Sequence, residues 1–286
     1  MVRTWIVGGL LFCAPLLAAG GDACGVNAPE IGQAFDNLYN FNFPAAHAVL
    51  NKYIAAHPQE SVPYAIRGSA YLFYELNRLG ILESQFLTSD KRIADKKGLK
   101  PDPDVRAKLM QTLEDAQARA TAALNANPND RQGLFTMAMV TGISTDYMAF
   151  VEKRQIASLT TAKRSNSYAQ QLLKLKPTCE DAYMTAGLSE YMVGSLPFFI
   201  RWFVRFDNVE GSKDQGIRNL QLVARDGQYF KAFAKILLAI ISLREKRPQD
   251  SERFLEDLAR TYPSNPLFRK ELANLTTLNA SGTRQN

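Results

Sequence analysis

AALNANPNDRQGLFTMAMVTG, residues 122–142, joins an alanine-rich run to an apolar run through Asn-Pro-Asn-Asp. Pro128 has no N–H and restricts the residue before it, so a helix ends there. Asp130 suits the start of the next helix. Two other stretches read the same way: YIAAHPQESVPYAIRGSAYLFYEL (53–76) and LLKLKPTCEDAYMTAGLSEYMVG (172–194). Aligned on Pro58, Pro128 and Pro177, they place Ile54, Leu124 and Leu173 four residues earlier. Tyr64, Leu134 and Tyr183 stand six residues later, and Gly68, Ala138 and Gly187 ten later. Twelve residues before the first two prolines are Ala46 and Ala116. This register suits successive helices with a shared apolar seam, where a glycine or alanine lets two backbones approach. A fourth stretch around Pro263, SERFLEDLARTYPSNPLFRKELANL, is a degenerate version.

The rest of the chain supports an all-α reading. There is no sustained period-two alternation and no Asn-Gly hairpin signal. Helices are expected at 29–40, 44–57, 61–80, 104–126, 130–147, 149–175, 179–193, 197–206, 212–226, 229–246, 248–262 and 265–278. Residues 89–104, SDKRIADKKGLKPDPD, read as a charged, exposed insertion. Residues 279–286, NASGTRQN, read as a frayed tail.

The small residues and prolines resemble the tetratricopeptide repeat. Gly68 and Tyr71 match its eighth and eleventh positions. Ala116, Ala123 and Pro128 match the twentieth, twenty-seventh and thirty-second, and Gly187 and Gly194 the eighth and fifteenth. The prolines lie 70 and 49 residues apart, so the resemblance implies an α-solenoid of antiparallel helix pairs with insertions.

A second resemblance rests on GSLPFFIRWFVRFDNVEGSKDQGIRNLQLVARDG, residues 194–227. It is similar to the central segment of the tetratricopeptide repeat protein 39 family, through Leu196-Pro197, Gly211-Ser212-Lys213-Asp214, Gly216 and Leu220. FDNLYNFNFPAAHAVL (35–50) corresponds to that family's early helix pair. The resemblance implies a tetratricopeptide-like fold with membrane- or lipid-associated roles, and it brings no enzymatic residues. The leader-like N-terminus departs from the eukaryotic members and fits a secreted bacterial relative.

That N-terminus has Arg3, then an apolar run broken by Pro15, then AAGGDA. This is the layout of a signal peptide over residues 1–23, with the mature domain spanning 24–286 in the periplasm or outside the cell. A retained anchor is the other reading. Gly21-Asp22-Ala23 before Cys24 fits a lipobox poorly. Cys24 and Cys179 remain after cleavage and can pair in an oxidising compartment, although two distant cysteines do not fix a pairing.

Among 286 residues the formal net charge is +6, with 46% hydrophobic and 22% charged residues. Basic residues are spread along the chain, with no cluster interleaved with aromatics, so nucleic acid is not an expected partner. The chain carries no phosphate loop, nucleophile elbow, dinucleotide fingerprint or zinc motif, so no catalytic residue, metal or cofactor is expected. His47 and His57, ten residues apart on one expected helix, cannot share a metal.

The expected function is therefore protein binding or scaffolding. The first helix of each pair would build a concave surface on which Tyr71, Tyr74 and Tyr191 meet the partner, while Tyr64 and Tyr183 sit in the seam. SLPFFIRWFVRF (195–206) adds Arg201, Trp202, Phe203 and Arg205. Ten helical residues span about 15 Å, too short to cross a bilayer. Three readings stay open for it: a buried helix, a patch for a protein partner, or a helix in a membrane interface. The alternative function is a transport-associated protein that handles a small apolar ligand or lipid in a cavity near Trp202 and Phe203.

Overall fold

The structure is a computed structural model that describes residues 24–83, 87–88, 99–196 and 209–282. Among the described residues it is all-α, without strands. The helices are α1 (Pro29–Tyr39), α2 (Phe43–Ala56), α3 (Val62–Arg78), α4 (Pro103–Ala126), α5 (Arg131–Asp146), α6 (Gln155–Leu175), α7 (Tyr183–Ser195), α8 (Lys213–Asp226), α9 (Lys231–Arg244), α10 (Pro248–Thr261) and α11 (Pro266–Gly282). A π-helical turn, Tyr147–Val151, extends α5, and a 3₁₀ turn, Glu180–Ala182, precedes α7. The expected helices fall on these within a few residues, apart from two differences. Residues 149–151 belong to the π turn and 152–154 are not helical, so the helix expected from 149 starts at Gln155, and the last helix continues past 278 to Gly282. The signal-peptide reading (1–23), most of the 89–104 insertion and the 197–206 helix lie outside the described residues.

The four proline turns share one hydrogen-bond pattern. The residue before each proline, His57, Asn127, Lys176 or Tyr262, donates its N–H back to Tyr53, Ala123, Leu172 or Leu258, each at 2.8 Å. Its carbonyl then accepts from Glu60, Asp130, Cys179 or Asn265 at 2.9–3.2 Å. All four leave the helical region, with φ between −123° and −145°, as the proline ring requires. The Pro263 stretch, degenerate in sequence, makes the same turn as the others. The α8–α9 connection has no proline; there the Asp181 carboxylate accepts from Tyr229 N and Phe230 N.

Each helix packs on its chain neighbours, most extensively α3 on α4, α5 on α6, α7 on α8 and α9 on α10. The small residues sit at these contacts. A Cβ on Gly187 would meet Gly216 O at 3.0 Å, and one on Gly216 would meet Tyr191 N at 2.6 Å, so α7 and α8 cross backbone to backbone. On Gly68 it would meet Leu113 of α4 at 2.8 Å. Arg131–Val151 is apolar and long enough to cross a membrane, but 61% of it is buried in the protein. Leu134, Phe135, Met139, Val140 and Ile143 make it a core helix.

Residues 24–40 add contacts far along the chain. Cys24 forms a disulfide with Cys179, 155 residues away. Gly25, at φ +86°, lies against the Gln132 backbone. Tyr229 Oη donates to Val26 O at 3.3 Å, and Tyr39 Oη donates to Tyr229 O at 3.0 Å. Asn265 Nδ2 donates to Tyr39 O at 2.8 Å, and Ser264 N to Asn40 Oδ1 at 3.2 Å. One short segment thus touches the turns before α5, α7, α9 and α11. In an open repeat array each unit meets only its neighbours. Here Phe35 stacks on Tyr229, Phe73 of α3 meets Phe233 of α9, and Phe135 of α5 meets Phe230. The helices close around α1.

Candidate functional site

The closure decides where the expected surface residues lie. α1, α3, α5 and α9 face one another, so part of the expected concave surface is consumed by internal packing. Tyr191 is the clearest correction: it is 2% exposed, packed with Met184, Leu220, Val223 and Leu238, and its hydroxyl donates to Glu245 Oε1 at 2.9 Å. Lys213 Nζ reaches the same oxygen at 2.7 Å, and this pairing holds the Glu245 carboxyl below its ordinary value. Tyr64 is buried, as a seam residue should be, and Tyr183 packs against both core clusters. Arg201, Trp202, Phe203 and Arg205 lie outside the described residues, as does any cavity beside them. Where the chain returns, the buried Glu190 carboxylate accepts from Glu210 N, Gly211 N and Ser212 N at 2.8–3.1 Å. An open cleft of about 440 Å³ nearby is lined by Lys213, Asp214, Ile217, Arg218, Glu245 and Arg247, which is a mainly charged lining.

The sulfur of Cys24 is engaged in the buried disulfide with Cys179.

Tyr71 and Tyr74 remain at the surface, and the structure gives them company. On α3 the residues Arg67, Tyr71, Tyr74 and Arg78 recur every three or four positions and form one stripe. Tyr74 is 41% exposed; Arg67 and Tyr71 are half-buried. The side chains of α2 lie alongside. Phe43 meets Tyr74 edge to face with ring centroids 5.7 Å apart, and His47 lies 4.3 Å from Tyr71. Asn51 Oδ1 accepts from Arg67 Nη1 at 3.3 Å. Phe41 stacks on Phe43 at 5.4 Å while holding φ at +59°, a conformation that costs a bulky residue about 1–2 kcal/mol. At the other end the Tyr64 ring lies under Arg67 at 5.2 Å and Arg119 of α4 at 3.9 Å.

The electrostatics of this face are one-sided. α2 contains no acidic residue, and the one carboxylate of α3, Glu75, is buried and held by Arg78 and by Asp102 N. Burial first, then the charges of Arg67 and of Lys108 on α4, holds the His47 imidazole below its ordinary value. Two buried nitrogens on the face, His47 Nδ1 and Arg67 Nε, have no hydrogen-bond partner. Neither Arg67 nor Lys108 makes an ion pair among the described residues.

The sequence pointed to Tyr71 and Tyr74 as surface residues but not to His47, Arg67 and Lys108 beside them. The signal available was the absence of any acid from 43–56 beside an Arg-x₃-Tyr-x₂-Tyr stripe. Among the described residues no group of three or more His, Cys, Asp or Glu side chains is placed to hold a metal ion. No protein-family model matches the chain, and neither a curated protein nor a solved structure matches it.

Proposed function

We propose that this chain is a non-enzymatic, tetratricopeptide-like helical-repeat protein of the cell envelope that binds a protein partner through its α2–α3 face. The observation that carries the reading is the row of half-open side chains Arg67, Tyr71 and Tyr74 beside Phe43 and His47. Tyrosine and arginine provide contact area at a low cost in entropy and are enriched where proteins meet. The four matching proline turns and the pairwise packing support reading the helices as antiparallel repeat pairs, curved until the first meets the fifth. The Cys24–Cys179 bond supports export, because such bonds persist in oxidising compartments. It also stands directly after the leader-like segment.

Site-specific photo-crosslinking tests the proposal. A photoreactive residue at position 74 is compared with one at position 175, since Leu175 is 43% exposed and lies on α6. Expression is in a bacterial cell with an intact envelope. The reading requires a discrete protein adduct from 74 that Arg67→Glu suppresses and that 175 does not give. Equal adducts from both positions, or none from 74, would defeat it.

A further inference from the structure

The partner's chemistry can be taken further, on the premise that the α2–α3 face is the binding face. We propose that this face, flanked by Lys108 of α4, docks an acidic segment of a protein partner, whose carboxylates pair with Arg67 and Lys108 while its chain lies across Tyr71 and Tyr74. Charge complementarity carries the choice. The exposed or half-exposed charges that α2 and α3 contribute are Lys52, Arg67 and Arg78, and Arg78 is already bound to Glu75. Among the described residues Arg67 has only the neutral Asn51 amide as a hydrogen-bond partner, and Lys108, one turn from Asp104, makes no ion pair. Both stand close enough to His47 to disfavour its charged form. Like charges gathered without a counter-charge repel, and an incoming carboxylate relieves that repulsion.

The aromatic side chains argue for a peptide over a free ion. Phe41 stacks on Phe43 and Phe43 meets Tyr74, which is open to solvent, while Tyr71 lies against His47 beside the cations. A small anion would use the charges alone, whereas a chain with alternating acidic and apolar side chains uses both. The unpartnered His47 Nδ1 and Arg67 Nε mark the seam where the face is least satisfied on its own.

The chain's two histidines make the test specific. The imidazole signals of His47 and His57 are followed by NMR in the full mature chain with its disulfide intact. The probes are a peptide alternating glutamate with leucine, the same peptide with glutamine for glutamate, and vesicles of an anionic phospholipid. The glutamate peptide should shift the His47 signal and raise its titration midpoint by about one unit, since an opposite charge favours the protonated ring. The His57 signal should hold still, and the glutamine peptide should do nothing. Arg67→Gln with Lys108→Gln should weaken binding of the glutamate peptide roughly tenfold while circular dichroism stays unchanged. The proposal is overturned if both histidines move together, if the double variant binds equally well, if only vesicles act, or if nothing acts. A specific protein adduct from position 74 alongside a silent glutamate peptide would leave the binding face standing and remove the acidic partner.

Discussion

Two aromatic clusters lie on either side of Asn40, and they are built on opposite principles. Phe35, Tyr39, Tyr229, Phe230 and Tyr262 form a sealed cluster in which the polar atoms of Tyr39 and Tyr229 are matched: Tyr39 Oη to Tyr229 O, Tyr229 Oη to Val26 O, and Tyr39 O to Asn265 Nδ2. Phe41, Phe43, His47, Tyr71 and Tyr74 form a half-open cluster that leaves His47 Nδ1 and Arg67 Nε unmatched and includes a strained Phe41. Matched polar groups in a dry setting hold a fold together, whereas buried unmatched ones cost it stability. The first cluster closes the helix array. The second is tolerated by the fold, and its composition has to be explained by what it meets.

The largest test of that contrast is the disulfide. Opening a 155-residue loop frees the unfolded chain by up to about 5 kcal/mol in a chain-entropy account. Cys179→Ser, or reduction, should therefore lower stability by about 2–5 kcal/mol in denaturant titrations. Removing the central ring of the sealed cluster, Phe35→Ala, should cost about 3–5 kcal/mol by the same measurement. Tyr39→Phe deletes one buried hydrogen bond, to the Tyr229 carbonyl, for about 1 kcal/mol. In the half-open cluster Tyr74→Ala should change stability by less than about 0.5 kcal/mol while weakening binding of the glutamate peptide. A Tyr74→Ala cost equal to that of Phe35→Ala would erase the distinction.

A pH profile sharpens the comparison from outside both clusters. At the end of α5, burial pushes the Asp146 carboxyl up from 3.8 to about 7. Between those values the native chain holds a proton that the unfolded chain has lost. Stability should therefore decline as pH rises from about 4 through 7 and level off above, and Asp146→Asn should flatten that decline. His47, held low, acts with the opposite sign: its contribution is present at neutral pH and is lost as pH falls below 6.5. Urea midpoints measured across pH 4–8 separate the two variants, Asp146→Asn and His47→Gln.

The turns were legible in the sequence because proline acts locally. It ended helices at 57, 127, 176 and 262 whatever lay elsewhere. Gly187 and Ala116 were legible for a related reason: small residues at helical spacing mark close crossings. The closure was not. It depends on contacts 155 to 226 residues apart, and no single stretch encodes them. Tyr191 was misplaced for a nearer reason: its helix face became interior once the next two helices, α8 and α9, covered it. His47 was set aside because a metal site needs a second histidine nearby, yet its interest lies in Arg67 and Lys108, which come from two other helices.

Native-state hydrogen exchange of the mature chain, oxidised and reduced, tests most directly whether residues 24–40 close the array. The closed architecture predicts that amides of α1 exchange only by global unfolding, at the rate of those in α5 and α7, and that reducing Cys24–Cys179 accelerates all three together. If α1 exchanges early and alone, with α5 and α7 unmoved by reduction, the helices form an open array and the account of the sealed cluster is wrong.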